Sequence, residues 1–263
     1  MRLQGKSIIV TGSTTGIGEA MARRFVAEGA EVLIHGRDAL RGNEVAAALG
    51  DRAVAHIDDL SDPRAAGRII QAALNAFGKI DGLVNNAACT TRRDLQSTDA
   101  DFFDQLISIN LRAPLLLVKA MVDELSRTKG AVLNIGSVLG YCGEPFLLAY
   151  CISKGGLMTL SRNLADSLCY RGIRVNHLNV GWTLTKNEYE VKIRDGLSER
   201  WPEQVSAESA PSGRLIRPEE VAAAAVYWLG DESRPISGSV LELEQYPVIG
   251  RFPVKTEIGN PKA

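Results

Sequence analysis

The sequence predicts an α/β protein built on one doubly wound, mostly parallel sheet of seven strands with helices on both faces. Two observations carry this: seven short apolar, β-branched runs spread along the chain, and segments of helical periodicity between most of them. A third observation bears on domain count. No low-complexity linker or sharp composition shift occurs before about residue 245, which places residues 1 to 244 in a single domain. At 263 residues and 45% apolar, the chain can bury a core under both faces of such a sheet.

The strand runs are SIIVTG (7 to 12), EVLIHG (31 to 36), RAVAHI (52 to 57), DGLVNNA (81 to 87), AVLNIGS (131 to 137), RVNHLNV (174 to 180) and SVLELE (239 to 244). Helical segments are GEAMARRFVAEG (18 to 29), ALRGNEVAAALG (39 to 50), PRAAGRIIQAALNAFG (63 to 78) and one long stretch from 99 to 127. RPEEVAAAAVYWLGDES (217 to 233) is a further scaffold helix, with Pro218 in its first turn. Strands separated by helices of this length form βαβ units, whose crossovers cover both faces of the sheet.

The first strand-to-helix junction reads TGSTTGIG (11 to 18), with glycines at 12, 16 and 18. Missing side chains let a ligand approach the backbone, and the N–H groups that open the helix can face a phosphate. Glycines also serve tight turns with no ligand. Placement after the first strand favours a dinucleotide pyrophosphate.

Composition limits the partners. Thirty basic against 31 acidic residues leave a formal charge of -1, with no footprint for nucleic acid or an anionic membrane. The apolar run APLLLV (113 to 118) is far shorter than the ~20 residues of a membrane span. SIIV after Lys6 is too short for the core of an export signal, so a cytoplasmic protein is expected. The cysteines at 89, 142, 151 and 169 form no C-x-x-C pair, and histidines do not cluster. No metal site or disulfide framework is expected, and the cysteines read as small buried apolar residues.

Tyr150 and Lys154 in YCISK stand four residues apart, on one face of a helix. That spacing alone also fits an exposed tyrosine beside a solvated lysine. Its companions decide otherwise. TGSTTGIG, Asp59 and Leu60 after the third strand, NNAA (85 to 88), Asn110 in ISINL, Ser137 in NIGS and YCISK occur in one order. In this the chain resembles the short-chain dehydrogenase/reductase family over residues 1 to about 244.

The resemblance implies a Rossmann-type fold, a nicotinamide cofactor and alcohol or carbonyl redox chemistry, with Asn110, Ser137, Tyr150 and Lys154 as catalytic residues. It implies cofactor contacts from Gly12, Ser13, Thr15, Gly16, Ile17 and Gly18, from Asp59 and Leu60, from Asn86 and Ala87, and from Tyr150 and Lys154. Gly181, Thr183 and Thr185 would grip the carboxamide end of nicotinamide. Asn110 would hold water in a proton relay behind Lys154. A free tyrosine, with a pKa of ~10, is a poor base at neutral pH. An ammonium ~4 Å away at an effective dielectric near 20 would favour phenolate by ~4 kcal/mol, bringing Tyr150 towards working pH. Ser137, at a strand end, would bond the substrate oxygen.

Cofactor choice rests on IHGRD (34 to 38). Gly36 stands where NAD-preferring relatives carry an acid, and Arg37 follows, either pairing with a 2′-phosphate or lying solvated in a loop. Thr15 takes the place where NADP-preferring relatives often carry a second basic residue. NADP is favoured and NAD stays open. NVGWTLTKNE (179 to 188) has Val180 where the family usually has proline, and Trp182 beside the nicotinamide pocket either packs on a sugar ring or fills core. Residues 186 to 216 resemble the family's substrate lid. The tail from 245 to 263 departs from the family ending and is expected to pack on a neighbouring subunit of a homo-oligomer, a dimer or tetramer.

Three functions follow. The first is a dehydrogenase of a secondary alcohol or its carbonyl, with a sugar or polyol preferred. The second is a reductase of a β-ketoacyl thioester or other hydrophobic ketone. The third is a regulator that senses NADPH without turnover, which has no need of Tyr150 and Ser137 together.

Overall fold

Aliphatic side chains on alternating faces make the predicted runs into strands, because helices cover both faces. In β1 (Ser7–Val10), Ile8 and Val10 join one buried cluster and Ile9 the other. The protein is described here from a computed structural model covering residues 1 to 249. It adds β2 (Glu31–Gly36), β3 (Ala53–Ile57), β4 (Gly82–Asn85), β5 (Ala131–Ser137), β6 (Arg174–Val180) and β7 (Val240–Leu243). They form a seven-stranded sheet in the order β3-β2-β1-β4-β5-β6-β7, with every pairing parallel.

One face is covered by α1 (Gly16–Ala27), α2 (Ala39–Leu49) and α8 (Pro218–Leu229), through residues such as Phe25, Val45 and Val226. The opposite face carries α3 (Ala65–Phe77), α5 (Ala113–Thr128) and α6 (Leu148–Leu168), with Ile69, Met121 and Leu168 in the second cluster. The chain runs outward from β1 to β3, then returns to lay β4 against β1 with Ile8 opposite Gly82 and Val10 opposite Val84. Crossovers leave these two neighbours in opposite senses, so their carboxyl ends open into a crevice.

The helix predicted over 99 to 127 is divided. A π-helical turn, Ser108–Arg112, separates α4 (Ala100–Ile107) from α5. The cause is visible at Asn110, whose side chain is drawn onto the Cys89 backbone and Ser153. An inserted residue of this kind re-aims a side chain within a continuous rod. Residues 100 to 128 are long enough to cross a membrane and contain an apolar stretch of the composition of a span. Leu117, Val118, Met121 and Leu125 nonetheless lie in the core against the sheet, the position of a buried helix in a globular protein.

The cysteines depart from expectation: Cys151 is buried, Cys89 is half-buried, and Cys142 and Cys169 are exposed. Periodicity places a thiol on a helix but does not say which side neighbours will cover. Residues 186 to 216 form α7 (Lys186–Arg194) and a short turn at Trp201–Glu203 around a small core of Trp201, Ala210 and Leu215. After β7, Gln245 folds back on this segment, accepting from Ser212 and donating to Arg214 O. Most of the predicted extension, residues 250 to 263, lies outside the described residues.

His35 and His177 are both buried in the sheet, and burial pushes each imidazole down to about 4. In the unfolded chain each would take a proton near pH 6.5, so the unfolded state binds more protons between pH 6.5 and 4 and is favoured as pH falls. Full stability is therefore expected above pH 6.5, with a loss on the order of 2 kcal/mol per histidine by pH 5. Urea midpoints at pH 7.5 and 5.0 measure this. The pH dependence should shrink in His177→Gln, and a midpoint unchanged between the two pH values would contradict the assignment.

Candidate active site

The crevice begins at the loop after β1. Gly12 has φ of 63°, and a Cβ there would stand 2.8 Å from the Ala87 Cα, so the loop passes against the end of β4 at glycine distance. Asn86 locks the crossing by donating from Nδ2 to Thr11 O and Gly12 O at 2.9 and 3.0 Å. Gly18 is packed under the same carbonyl and amide. Exposed Thr15 is the residue before α1, so the first N–H groups of that helix border the crevice beside Gly16 and Ile17. Across the crevice, a Cβ on Gly16 would meet the Thr185 Cγ2 at 3.4 Å, which brings the loop after β6 over the glycine loop.

Ser13 departs from expectation. Its hydroxyl donates to Val10 O and accepts from His35 N, its own N–H goes to His35 O, and the residue is fully buried. It welds the loop to β2 and offers no side-chain atom to a ligand. Arg37 is exposed at the end of β2 and enters no ion pair among the described residues. Asp59 is exposed in the turn after β3, where its carboxylate accepts from Ser61 N, while Leu60 is buried in the core.

At the other side of the crevice, β5 ends in Ser137, whose hydroxyl stands near the Tyr150 phenol and favours its ionised form. Lys154 follows one turn along α6, almost wholly buried, and donates from Nζ to Ile135 O at 2.7 Å. Its ammonium lies 5.6 Å from the Tyr150 ring centroid. The anticipated lowering of the tyrosine is not present. Desolvation pushes Tyr150 up to about 12, partly offset by the Ser137 hydroxyl, and burial pulls Lys154 down to about 8. Burial explains this: removal from water disfavours the phenolate and the ammonium alike.

Asn110 sits beside this group with its amide already committed. Nδ2 donates to Cys89 O and Ser153 Oγ, each at 3.0 Å, and Oδ1 accepts from Cys89 N at 2.7 Å. Both amide hydrogens are thus directed at protein acceptors. The side chain anchors the loop after β4 to the residue preceding Lys154.

A buried chain of polar side chains underlies the site. Asn85 Nδ2 donates to Asn134 Oδ1 at 2.7 Å, Asn134 Nδ2 donates to Ser161 Oγ at 2.8 Å, Ser161 shares a 2.9 Å bond with His177 Nδ1, and His177 Nε2 shares one of 2.9 Å with Asn179 Oδ1. It joins β4, β5, α6 and β6, and so fixes the helix bearing Tyr150 and Lys154 against the strands. Gly136, next to Ser137, leaves the room: a Cβ there would overlap the His177 ring and the Asn179 amide.

The third wall joins Trp182 and the loop after β6 to Glu188, Arg92 and Glu244, which sequence reading did not select. Glu188 of α7 accepts from Trp182 Nε1 at 3.0 Å, lies 3.7 Å from the Arg92 guanidinium, and its charge reaches Tyr150. Arg92 also pairs with Asp195 at 2.6 Å, tying the loop after β4 to the end of α7. Glu244 accepts from Trp182 N and packs against Gly181. Thr183 is buried, with its hydroxyl on Gly181 O, and Thr185 caps α7 by accepting from Glu188 N at 3.0 Å. The signal for Glu188 and Arg92 was weak, since charged residues on a surface helix and a loop are ordinarily solvated.

An open parallel sheet with a glycine loop at its switch point defines a class, the dinucleotide-binding α/β enzymes. Comparison with known proteins narrows it. A family model described as Enoyl-(Acyl carrier protein) reductase matches residues 12 to 244. The chain is 31% identical over 245 residues to 3-oxoacyl-(acyl-carrier-protein) reductase of Haemophilus influenzae, covering 92% of this chain and 97% of that one. It is 31% identical over 240 residues to galactitol 2-dehydrogenase of Agrobacterium fabrum, with 89% and 93% covered. A crystal structure of 3-ketoacyl-(acyl-carrier-protein) reductase from Brucella melitensis complexed with NADH is similar at a TM-score of 0.81 and 30% identity, covering 92% and 97%. The chain belongs to the short-chain dehydrogenase/reductase family, oxidoreductases that act on alcohol and ketone groups and use NAD(P).

Gly136→Ala is expected to destabilise the fold by roughly 1 to 3 kcal/mol, the usual result of overfilling a packed site. Adding His177→Ala should return part of that loss, because the new methyl then has space. Urea denaturation of the two single variants and the double variant gives the coupling. Additive effects would mean that Gly136 and His177 do not compete for the same volume.

Proposed function

We propose that the protein transfers hydride between a nicotinamide dinucleotide and a secondary alcohol or its carbonyl, with a sugar or polyol as the substrate class. The observation that carries the reading is the placement of a phenol, Tyr150, near Ser137 and of a buried ammonium, Lys154, at the carboxyl edge of the sheet beside the glycine loop. In this reading Tyr150 passes a proton to or from the substrate oxygen, and Ser137 Oγ holds that oxygen in line. Lys154 favours the phenolate and reaches towards ribose hydroxyls. Asn110 acts by position, fixing Cys89 and Ser153 on either side of the site.

The residues present fit a dinucleotide. Gly12 to Gly18 and the opening turn of α1 would hold the pyrophosphate. Asp59, Leu60, Asn86 and Ala87 would border the rest of the dinucleotide, and Gly181, Thr183 and Thr185 the carboxamide. When bound, the nicotinamide supplies or accepts the hydride. Arg37, exposed and outside any ion pair among the described residues, supports NADP as the preferred form, with a guanidinium suited to a 2′-phosphate.

The polar and aromatic wall of Trp182, Glu188 and Arg92 supports the hydroxyl-rich substrate, as does the likeness to galactitol 2-dehydrogenase. A second reading, reduction of a β-ketoacyl thioester, is supported by the equal identity to the 3-oxoacyl-(acyl-carrier-protein) reductase. Residues 186 to 216 serve as the substrate lid, held to the loop after β4 through Arg92. The protein works as a cytoplasmic homo-oligomer, a dimer or tetramer; Leu115 and Ile152, exposed on α5 and α6, support such an assembly.

Tyr150→Phe is expected to lower turnover by about 10²- to 10⁴-fold, the range lost with a general acid/base, while leaving dinucleotide affinity within a few-fold. Absorbance assays with polyols, aldoses and ketones, paired with fluorescence titration of NADPH, test both halves. Substantial activity in that variant would remove Tyr150 from the chemistry. Arg37→Ala should raise the NADP dissociation constant about tenfold, equivalent to ~1.4 kcal/mol, and leave that for NAD unchanged. Equal wild-type constants for the two cofactors would contradict a discriminating role.

A further inference from the structure

The contact between Arg92 and Glu188 crosses the mouth of the active site, and hydride transfer does not account for it. In the sheet β5 lies between β4 and β6, so the loops that follow β4 and β6 flank the strand end bearing Ser137. Arg92 belongs to the first of these loops, and Glu188 to α7 just beyond the second. The backbone ties the Arg92 side to Tyr150: Arg93 pairs with Leu147, three residues before Tyr150 in the first turn of α6. Cys89 of the same loop packs with Tyr150 against Phe102, Leu106 and Ala149. From the other side, the Glu188 charge acts on the Tyr150 phenol and disfavours its ionisation. Both side chains thus border the place where a substrate carbinol meets Tyr150.

The pair is left unclosed. Arg92 Nη1 is committed to Asp195 at 2.6 Å, but Nη2 stands 3.7 Å from Glu188 Oε1, beyond hydrogen-bond distance. Glu188 Oε1 accepts from Trp182 Nε1 at 3.0 Å, which orients the carboxylate and leaves it further acceptor positions. At 34% and 23% exposure, neither the guanidinium side chain nor the carboxylate side chain is sealed from a ligand. A donor and an acceptor held this far apart are both satisfied by one group that itself accepts and donates. A hydroxyl is such a group. A carbonyl oxygen only accepts, so it gains from Arg92 and is repelled by Glu188.

We propose that Arg92 and Glu188 recognise a second hydroxyl, on the carbon next to the reacting carbinol, so that the site selects vicinal diols. That hydroxyl donates to the Glu188 carboxylate and accepts from Arg92 Nη2, beside the carbinol addressed by Tyr150 and Ser137. Asp195 is a positioning residue that holds the guanidinium in place. This rests on the sugar or polyol reading, since sugars and polyols carry hydroxyls on adjacent carbons. A simple secondary alcohol lacks the second hydroxyl and leaves the pair as it stands, and a β-ketoacyl thioester brings a second acceptor towards a carboxylate.

Two alcohols of equal length, 2,3-butanediol and 2-butanol, isolate the second hydroxyl, and galactitol checks the polyol reading beside them. With saturating NADP, wild type should favour the diol over 2-butanol about tenfold in kcat/KM, because a site built to bond a hydroxyl discriminates against the analogue lacking it. Glu188→Gln keeps an acceptor for Trp182 and removes the charge. Any effect of that charge on Tyr150 falls on both alcohols alike, so the readout is the ratio of the two kcat/KM values, which should drop about tenfold. Arg92→Gln should lower the ratio in the same direction and serves if the first variant does not fold. An unchanged ratio in a folded variant overturns diol recognition by this pair and marks the contact as a structural tie, and so does wild type that favours neither alcohol. Wild type that turns over neither the diol nor galactitol overturns the polyol reading and diol recognition with it, a result distinct from active wild type with an indifferent variant.

Discussion

A lysine buried at the edge of a sheet governs the rest of this structure. An ammonium almost wholly removed from water is unfavourable unless something replaces its hydration, and Lys154 has the Ile135 carbonyl at 2.7 Å. That carbonyl belongs to β5, so the lysine reads the position of the strand that ends in Ser137. The turn after β5 also packs tightly on the α6 backbone: a Cβ on Gly140 would come within 3.2 Å of the Lys154 carbonyl carbon. Burial brings Lys154 down to about 8, so its charge is present at neutral pH and near the limit of being lost.

Holding that lysine requires a helix that does not slide. Apolar packing under α6 is permissive in register, since leucine and alanine tolerate small shifts, whereas hydrogen bonds of fixed length do not. The chain of Asn85, Asn134, Ser161, His177 and Asn179 supplies the fixed lengths across three strands and the helix. A buried polar network of this kind specifies one arrangement when its members are satisfied, and here one atom, Asn85 Oδ1, has no partner. The neutral His177 is part of that balance, because a charged ring in this place would be unpaired.

The site thus divides into a rigid half and a clasped half. The glycine loop, Ser137 and α6 stand on the sheet and are fixed by core packing. The wall formed by Trp182, Glu188 and α7 is held by ion pairs to Arg92 and by a small aromatic core of its own. Exposed ion pairs contribute little to stability. A wall attached in that manner is fixed independently of the half that carries the phenol and the ammonium.

What the sequence by itself determined was the sheet, its seven strands, the glycine loop and the order of the motif residues, because strand alternation, helix periodicity and local turn chemistry are written in neighbouring positions. Tertiary structure decided the partners. It placed Ser13 inside the loop, spent the Asn110 amide on Cys89 and Ser153, raised Tyr150 where a lowering was expected, exposed Cys142 and Cys169, and brought Arg92 to Glu188 across 96 positions of chain. Each of these depends on burial or on a contact between distant segments. Desolvation and hydrogen-bond satisfaction are properties of a filled volume, and a linear pattern does not specify which side chains will fill it.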